Sequence, residues 1–269
     1  MTLCLAWRNP NGKIRLASDS RITLNGKYSD YGIKIFSVPV RVYLPAPKRD
    51  LDAEVAHENI FGMAFSGSFL GVQLLREYLF VVLQNLQCIP GFIDYSFEAV
   101  CKTVAQYYPF LLTRIYENLQ EDIAIDFFFT GFCPKDGDCK IAKFYVTYNN
   151  DYTAFHTGYN ILQAVEFLEF IGGGQTSIFA PLNGRPLPDN VMLKMFSSAM
   201  NGACGPSVGG NLQHGSFDNK NNFKTSGVIV LNKNNDSAGS FIAGIDMQGI
   251  DFCHKPNDLF FRGSFIDLL

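Results

Sequence analysis

One tryptophan, four scattered histidines and no Cys-x-x-Cys pair leave the 269-residue sequence without a metal-binding pattern. His57, His156, His214 and His254 stand apart from one another and from every motif below, and none is assigned a catalytic role. The seven cysteines, at 4, 88, 101, 133, 139, 204 and 253, are odd in number, and a chain this long needs no disulfide staples. Free thiols in a reducing, cytoplasmic setting are therefore expected. Cys133 and Cys139 flank the turn Pro134-Lys135-Asp136-Gly137-Asp138, which brings them near each other without calling for a bond. Charge of one sign is lacking too: 22 Lys+Arg against 25 Asp+Glu give a net −3 with no basic run. Nucleic acid, which needs a clustered basic surface, is excluded as the main partner. The first residues lack the charged-then-apolar build of a signal peptide, and none is expected. The most apolar stretch, Phe69 to Ile89, is interrupted by Gln73, Arg76, Glu77, Gln84, Asn85 and Gln87. It reads as an amphipathic or buried helix, not a membrane span. No repeat, low-complexity tract or linker divides the sequence. A single domain is expected over residues 1–250, with a C-terminal extension of unassigned role over 251–269.

What is present is apolar and aromatic: 47% hydrophobic residues, with 25 Phe and 12 Tyr, enough for a thick core and too much for a disordered chain. Thr2–Trp7 and Lys13–Asp19 flank the turn Asn9-Pro10-Asn11-Gly12 and read as a β-hairpin. Gly32–Val38 and Ile60–Ser66 read as strands, with Pro45–Asn59 between them as a surface insertion. Helices are predicted over Phe69–Gln87, capped by Ser68, and Phe97–Leu119, capped by Ser96, with Pro109 kinking or breaking the second. Strands follow at Ile123–Phe132, Ile141–Tyr148, Thr153–Thr157 and Val165–Ile171. A third helix spans Leu187–Asn201, and further strands cover Val208–His214, Lys224–Leu231 and Ser240–Ile245. The apolar stretch Phe260–Leu269 is expected to dock on the rest. Strands and helices come in separate runs, which implies an α+β fold of antiparallel sheets with helices outside.

Three places carry chemistry. Removal of Met1 would make Thr2 the first residue, and its α-amine, with an ordinary pKa of about 7.7–8.0, can act as base for its own hydroxyl. Asp19 ends the second strand of the hairpin, beside the start of the first and hence beside Thr2. Lys34 lies on an otherwise apolar strand. It either faces solvent as an edge-strand lysine or faces Asp19 from a half-buried position, where its charge would lower the pKa of the Thr2 hydroxyl and amine. Ser66-Gly67-Ser68 links a strand to a capped helix. It is either a plain turn or a place where the Gly67 N–H can meet the oxyanion of acyl transfer.

Thr2-Leu3-Cys4-Leu5-Ala6, Leu16-Ala17-Ser18-Asp19-Ser20-Arg21, Lys34 and Met63-Ala64-Phe65-Ser66-Gly67-Ser68 before a long helix together resemble the proteasome β-subunit superfamily of N-terminal nucleophile (Ntn) hydrolases. The opening is most similar to the bacterial Anbu branch, with the heat-shock-locus V peptidase as neighbour. Ile171-Gly172-Gly173-Gly174 and Pro206-Ser207-Val208-Gly209 fit the same pattern. The resemblance implies a four-layer αββα sandwich and a cofactor-free, metal-free threonine peptidase or amidohydrolase cleaving a peptide or amide substrate. It implies Thr2 as nucleophile, with Asp19 orienting Lys34, Lys34 tuning Thr2, and Gly67 holding the oxyanion. Arg21, Gly173 and Ser207 would take supporting roles. A homo-oligomer, as a ring or open spiral, is also implied, whereas an ATP-dependent unfoldase partner is not legible here. Two departures stand out. Gly173 replaces a hydroxyl residue of the family, and Ala203-Cys204-Gly205-Pro206 carries no carboxylate before Ser207. A catalytically inactive structural subunit, or a stand-alone amidase for small amides, are accordingly the alternatives.

Overall fold

The computed structural model describes residues 2–24, 26–46, 53–119, 124–149, 154–173, 179–200, 207–231, 237–243, 245–247 and 265–268. In chain order the strands and helices are β1 (Leu3–Arg8), β2 (Ile14–Ser18), β3 (Ile22–Leu24), β4 (Lys27–Ser29), β5 (Ile35–Tyr43), β6 (Val55–Gly67), α1 (Phe69–Leu83), β7 (Leu86–Gln87) and α2 (Phe97–Leu119). They continue with β8 (Ile125–Cys133), β9 (Asp138–Tyr148), β10 (Phe155–Ile161), β11 (Phe167–Gly172), α3 (Asp189–Met200), β12 (Gln213–Phe217), β13 (Phe223–Leu231), β14 (Ser237–Ile242), β15 (Ile245–Asp246) and β16 (Phe265–Leu268). The chain forms two compact units. One is built from Met1–Ile35, Glu166–Ser216 and Thr225–Leu269, the other from Phe36–Val165 and Phe217–Lys224.

The first unit is organised by a sheet of order β11-β1-β2-β12-β13-β14-β15, with β16 running parallel to β13. β1 and β2 form the expected hairpin, in the register Leu5↔Ala17. Its turn closes because the Asn9 side-chain oxygen accepts the N–H groups of Asn11 and Lys13, while Gly12 takes φ +75°, a left-handed conformation that costs glycine nothing. With β11 on the other side of β1, the start of the chain lies inside the sheet. Leu3, Leu5 and Trp7 point to one face and pack with Met192, Leu193 and Phe196 of α3. Of the apolar tail, Phe265–Leu268 pairs with β13, and residues 260–264 and 269 lie outside the described residues.

The second unit holds a sheet of order β10-β9-β8-β6-β5-β7, covered on one face by α1 and α2. Its core is aromatic. The Phe127 and Phe144 rings stack at 4.6 Å, and Tyr108 of α2 meets both edge-on. Such pairs add about 0.5–1.5 kcal/mol each beyond simple burial. The Tyr108 hydroxyl donates to the Ile125 carbonyl, so the buried phenol is satisfied. Ser68 caps α1 through its hydroxyl, which accepts the Gly71 N–H, and Ser96 caps α2 by accepting that of Ala99.

Several boundaries differ from expectation. α1 ends at Leu83, and Leu86–Gln87 instead pair in parallel with β5. α2 runs unbroken through Pro109. Buried Tyr108, Leu111 and Leu112 anchor the turns around the proline, and that packing outweighs the one missing backbone bond. Part of the supposed insertion, Val55–Asn59, is the start of β6, while residues 47–52 lie outside the described residues. β5 begins at Ile35, so Gly32 to Lys34 precede the strand instead of belonging to it. β12 likewise starts at Gln213, and 207–212 is loop. The described cysteines 4, 88, 101, 133 and 139 are buried thiols, while Cys204 and Cys253 are not described.

Candidate functional site

The hairpin register fixes what surrounds the start of β1. Cys4 pairs with Ser18, so Asp19, one residue on, lies level with Leu3, and its N–H donates to the Leu3 carbonyl at 3.3 Å. Thr2 is 5% exposed, Asp19 0% and Lys34 1%. Lys34 therefore does not face solvent.

Asp19 organises this region. Its Oδ1 accepts the Leu3 N–H at 3.0 Å and the Lys34 ammonium at 2.8 Å. Its Oδ2 accepts the N–H groups of Arg21 and Gly209, each at 3.2 Å. A carboxylate offers about four acceptor positions, and all are engaged. Asp19 is thus built to hold groups in place. Lys34 is paired with the carboxylate that also accepts the N–H of the Thr2–Leu3 peptide bond. A buried ion pair of this kind is costly to disrupt, because removing one partner strands the other without solvent, at about 3–5 kcal/mol.

Arg21 points elsewhere. Its guanidinium makes a two-pronged ion pair with Asp30, at 2.6 and 3.0 Å, and lies 4.2 Å from the centre of the Tyr28 ring. It reaches Asp19 through its backbone N–H. At the other edge of β1, Leu3 pairs with Gly172, so Gly173 follows at the Thr2 end of that ladder, while Gly174 is outside the described residues. Ser207 is half-buried, and its hydroxyl has no hydrogen-bond partner among the described residues. The Ala203–Pro206 stretch before it, and Met1, also lie outside them. Gly67, the last residue of β6, belongs to the second unit. It has φ +116°, and a Cβ there would collide with the carbonyl oxygen of Ala124, so this junction accepts only glycine.

No protein-family model matches the sequence, and no curated protein does. Solved structures do. Anbu (ancestral beta-subunit) from Yersinia bercovieri aligns with a TM-score of 0.53 over 83% of this chain and 86% of its own, at 12% identity. An Anbu (Gly-1) mutant from Hyphomicrobium sp. strain MC1 aligns with a TM-score of 0.51 over 84% and 87%, at 13% identity. The fold is that of Anbu.

On this Anbu fold, the groups that brace the Asp19–Lys34 pair have little signature in the sequence. Gly209 and Gly210 let the loop before β12 lie against the 19–21 segment. Ser20 and Arg21 donate their N–H groups to the Gly209 carbonyl, and a Cβ on Gly210, at φ +76°, would meet the Ser20 hydroxyl. The doubled glycine is a signal of close backbone approach that could have been read. Gln213 carried no such signal. It is 2% exposed, and its Oε1 accepts the N–H groups of Lys34 and Ile35 at 2.9 and 3.2 Å. Its Nε2 donates to the Gly32 carbonyl at 2.5 Å. Among the described residues one further group, Glu98, Cys133 and Asp136 in the second unit, has the donor types of a cation site. The Lys140 ammonium is ion-paired there with both carboxylates. Among the described residues no helix is long and apolar enough to cross a membrane.

Proposed function

We propose that the protein is an N-terminal threonine peptidase or amidohydrolase of the proteasome β-subunit type, acting through Thr2 after removal of Met1. The observation that carries this reading is the buried Asp19–Lys34 pair, whose carboxylate also binds the peptide N–H next to Thr2. The freed α-amine accepts the proton of the Thr2 hydroxyl as its oxygen attacks the carbonyl carbon of an amide. An N–H donor receives the oxyanion, the part that the family resemblance assigns to Gly67. Collapse breaks the C–N bond, the ammonium returns its proton to the leaving amine, and an ester on Thr2 remains. Water, deprotonated by the same amine, hydrolyses that ester. Lys34 favours the anionic oxygen and the neutral amine by its charge.

The proposal extends to one Ntn-hydrolase domain over residues 1–250, a four-layer sandwich, and assembly of identical copies into a ring or open spiral. Burial of both faces of β1 and of β8 supports the layered arrangement. A second reading, an inactive structural subunit, draws on Gly173 in place of a hydroxyl and on the Ser207 hydroxyl, which has no partner among the described residues. An epoxyketone, which needs both the hydroxyl and the amine of an N-terminal threonine, separates the two. The wild-type protein is expected to be labelled, and Thr2→Ala and Lys34→Ala to stay unlabelled while keeping the far-UV circular dichroism of the wild type. Labelling of wild-type and Lys34→Ala proteins at the same rate removes Lys34 from the mechanism.

A further inference from the structure

Residues 31–34 belong to no strand, yet Lys34 must present its ammonium to Asp19 from this stretch. A segment without a ladder is free to shift unless something else holds its backbone. Gly32 donates its N–H to the Ser20 carbonyl at 2.8 Å, which ties the near end. The far end is tied by a side chain from β12. The amide of Gln213 accepts from two successive N–H groups, those of Lys34 and Ile35, and donates to the Gly32 carbonyl. One residue of β12 thus does for this segment what a neighbouring strand does for a ladder. β12 is itself registered on β2, with Gln213 opposite Ser18, the residue before Asp19. Asp19 and Gln213 are therefore fixed to each other through the sheet, the first gripping the Lys34 ammonium and the second gripping its main chain.

We propose that Gln213 is a positioning residue for the Thr2 chemistry: its side-chain amide replaces a strand ladder for residues 32–35 and so sets where Lys34 places its charge. The proposal rests on the threonine-hydrolase reading above and adds a residue to it. Glutamine suits the role better than its neighbours in size. Glutamate can still accept from Lys34 and Ile35, but it has no donor for Gly32 and adds a negative charge beside the ion pair. Asparagine is one methylene short, and methionine keeps the length with neither function.

The test uses Gln213→Met and Gln213→Glu in the full chain, with two readouts. In the first, acylation of Thr2 by a β-lactone is followed by intact mass. The maximal rate constant is expected to fall roughly a hundredfold in Gln213→Met, the scale of a misplaced catalytic group, with the half-saturating β-lactone concentration unchanged and Gln213→Glu in between. In the second, amide hydrogen exchange over residues 32–35 is expected to be at least about tenfold faster in Gln213→Met than in the wild type, with β1 and β2 unaffected. Wild-type acylation by Gln213→Met, or unchanged exchange at 32–35, overturns the proposal. So does faster exchange throughout the first unit, which marks general loosening. A wild-type protein that takes no β-lactone defeats the hydrolase reading and the catalytic half of this one, while the exchange readout still decides whether Gln213 holds the segment.

Discussion

Both carboxylate oxygens of Asp19 accept two hydrogen bonds each, three from backbone N–H groups and one from Lys34. The sequence placed Asp19 at a strand end beside Thr2 because a short hairpin turn makes that geometry unavoidable. The burial of Lys34 was not legible, since a lysine on an apolar strand looks the same whether it faces water or a carboxylate. Gln213 was hidden for a related reason: its work is done on a segment distant in sequence and without periodicity of its own. His214, next to it, is a different case. It is fully buried, both ring nitrogens lack partners among the described residues, and burial, with Arg15 of β2 adding to it and Asp189 of α3 opposing, lowers its pKa to about 3. The unfolded imidazole binds a proton near pH 6.5, so between those values the unfolded state holds more protons and stability falls as pH drops. Urea unfolding at pH 7 and pH 4.5 is expected to lose about 1.4 kcal/mol per pH unit below 6.5 from this residue, and His214→Phe to lose that much less. Identical pH dependence in the two proteins would contradict the assignment.

Among elements, those with a local cause were read well. The β1–β2 hairpin, the Ser68 and Ser96 caps and the amphipathic helices each follow from a few neighbouring residues. Elements decided by distant partners were not. Val55–Asn59 looked like insertion because it is polar and follows a proline-rich run, yet pairing within the sheet draws it into β6. Gly32–Lys34 looked like strand because it is apolar around the lysine, yet Gln213 takes the place of a ladder there. The β6–α1 junction shows how narrow the backbone choice becomes where a strand hands over to a capped helix. Gly67→Ala must both adopt φ +116° and displace the Ala124 carbonyl. It is expected to cost upward of about 2 kcal/mol, seen as a lower urea midpoint with unchanged slope. A midpoint equal to that of the wild type would show that the junction relaxes freely and that glycine is not required there.

At the level of the whole molecule, antiparallel sheets with helices could be inferred from the segregation of strand and helix runs, but pairings between strands distant in sequence, such as β1 with β11 and β2 with β12, are what such inference cannot assign. Two compact units, each assembled from separated stretches of chain, are a consequence of that pairing. Copies of a proteasome-like subunit are proposed to assemble, and light scattering on the purified protein is expected to give a molar mass several times 30.0 kDa. A monomer at micromolar concentration would favour the stand-alone amidase instead. In the proposed chemistry the Thr2 hydroxyl, freed of Met1 and served by its own amine, attacks acyl groups. Mass spectrometry of the purified protein after β-lactone treatment tests it most directly. Loss of Met1 and one added acyl group per chain, located on the peptide that begins at Thr2, are expected. Retention of Met1, or an acyl group found on any other residue, would contradict it.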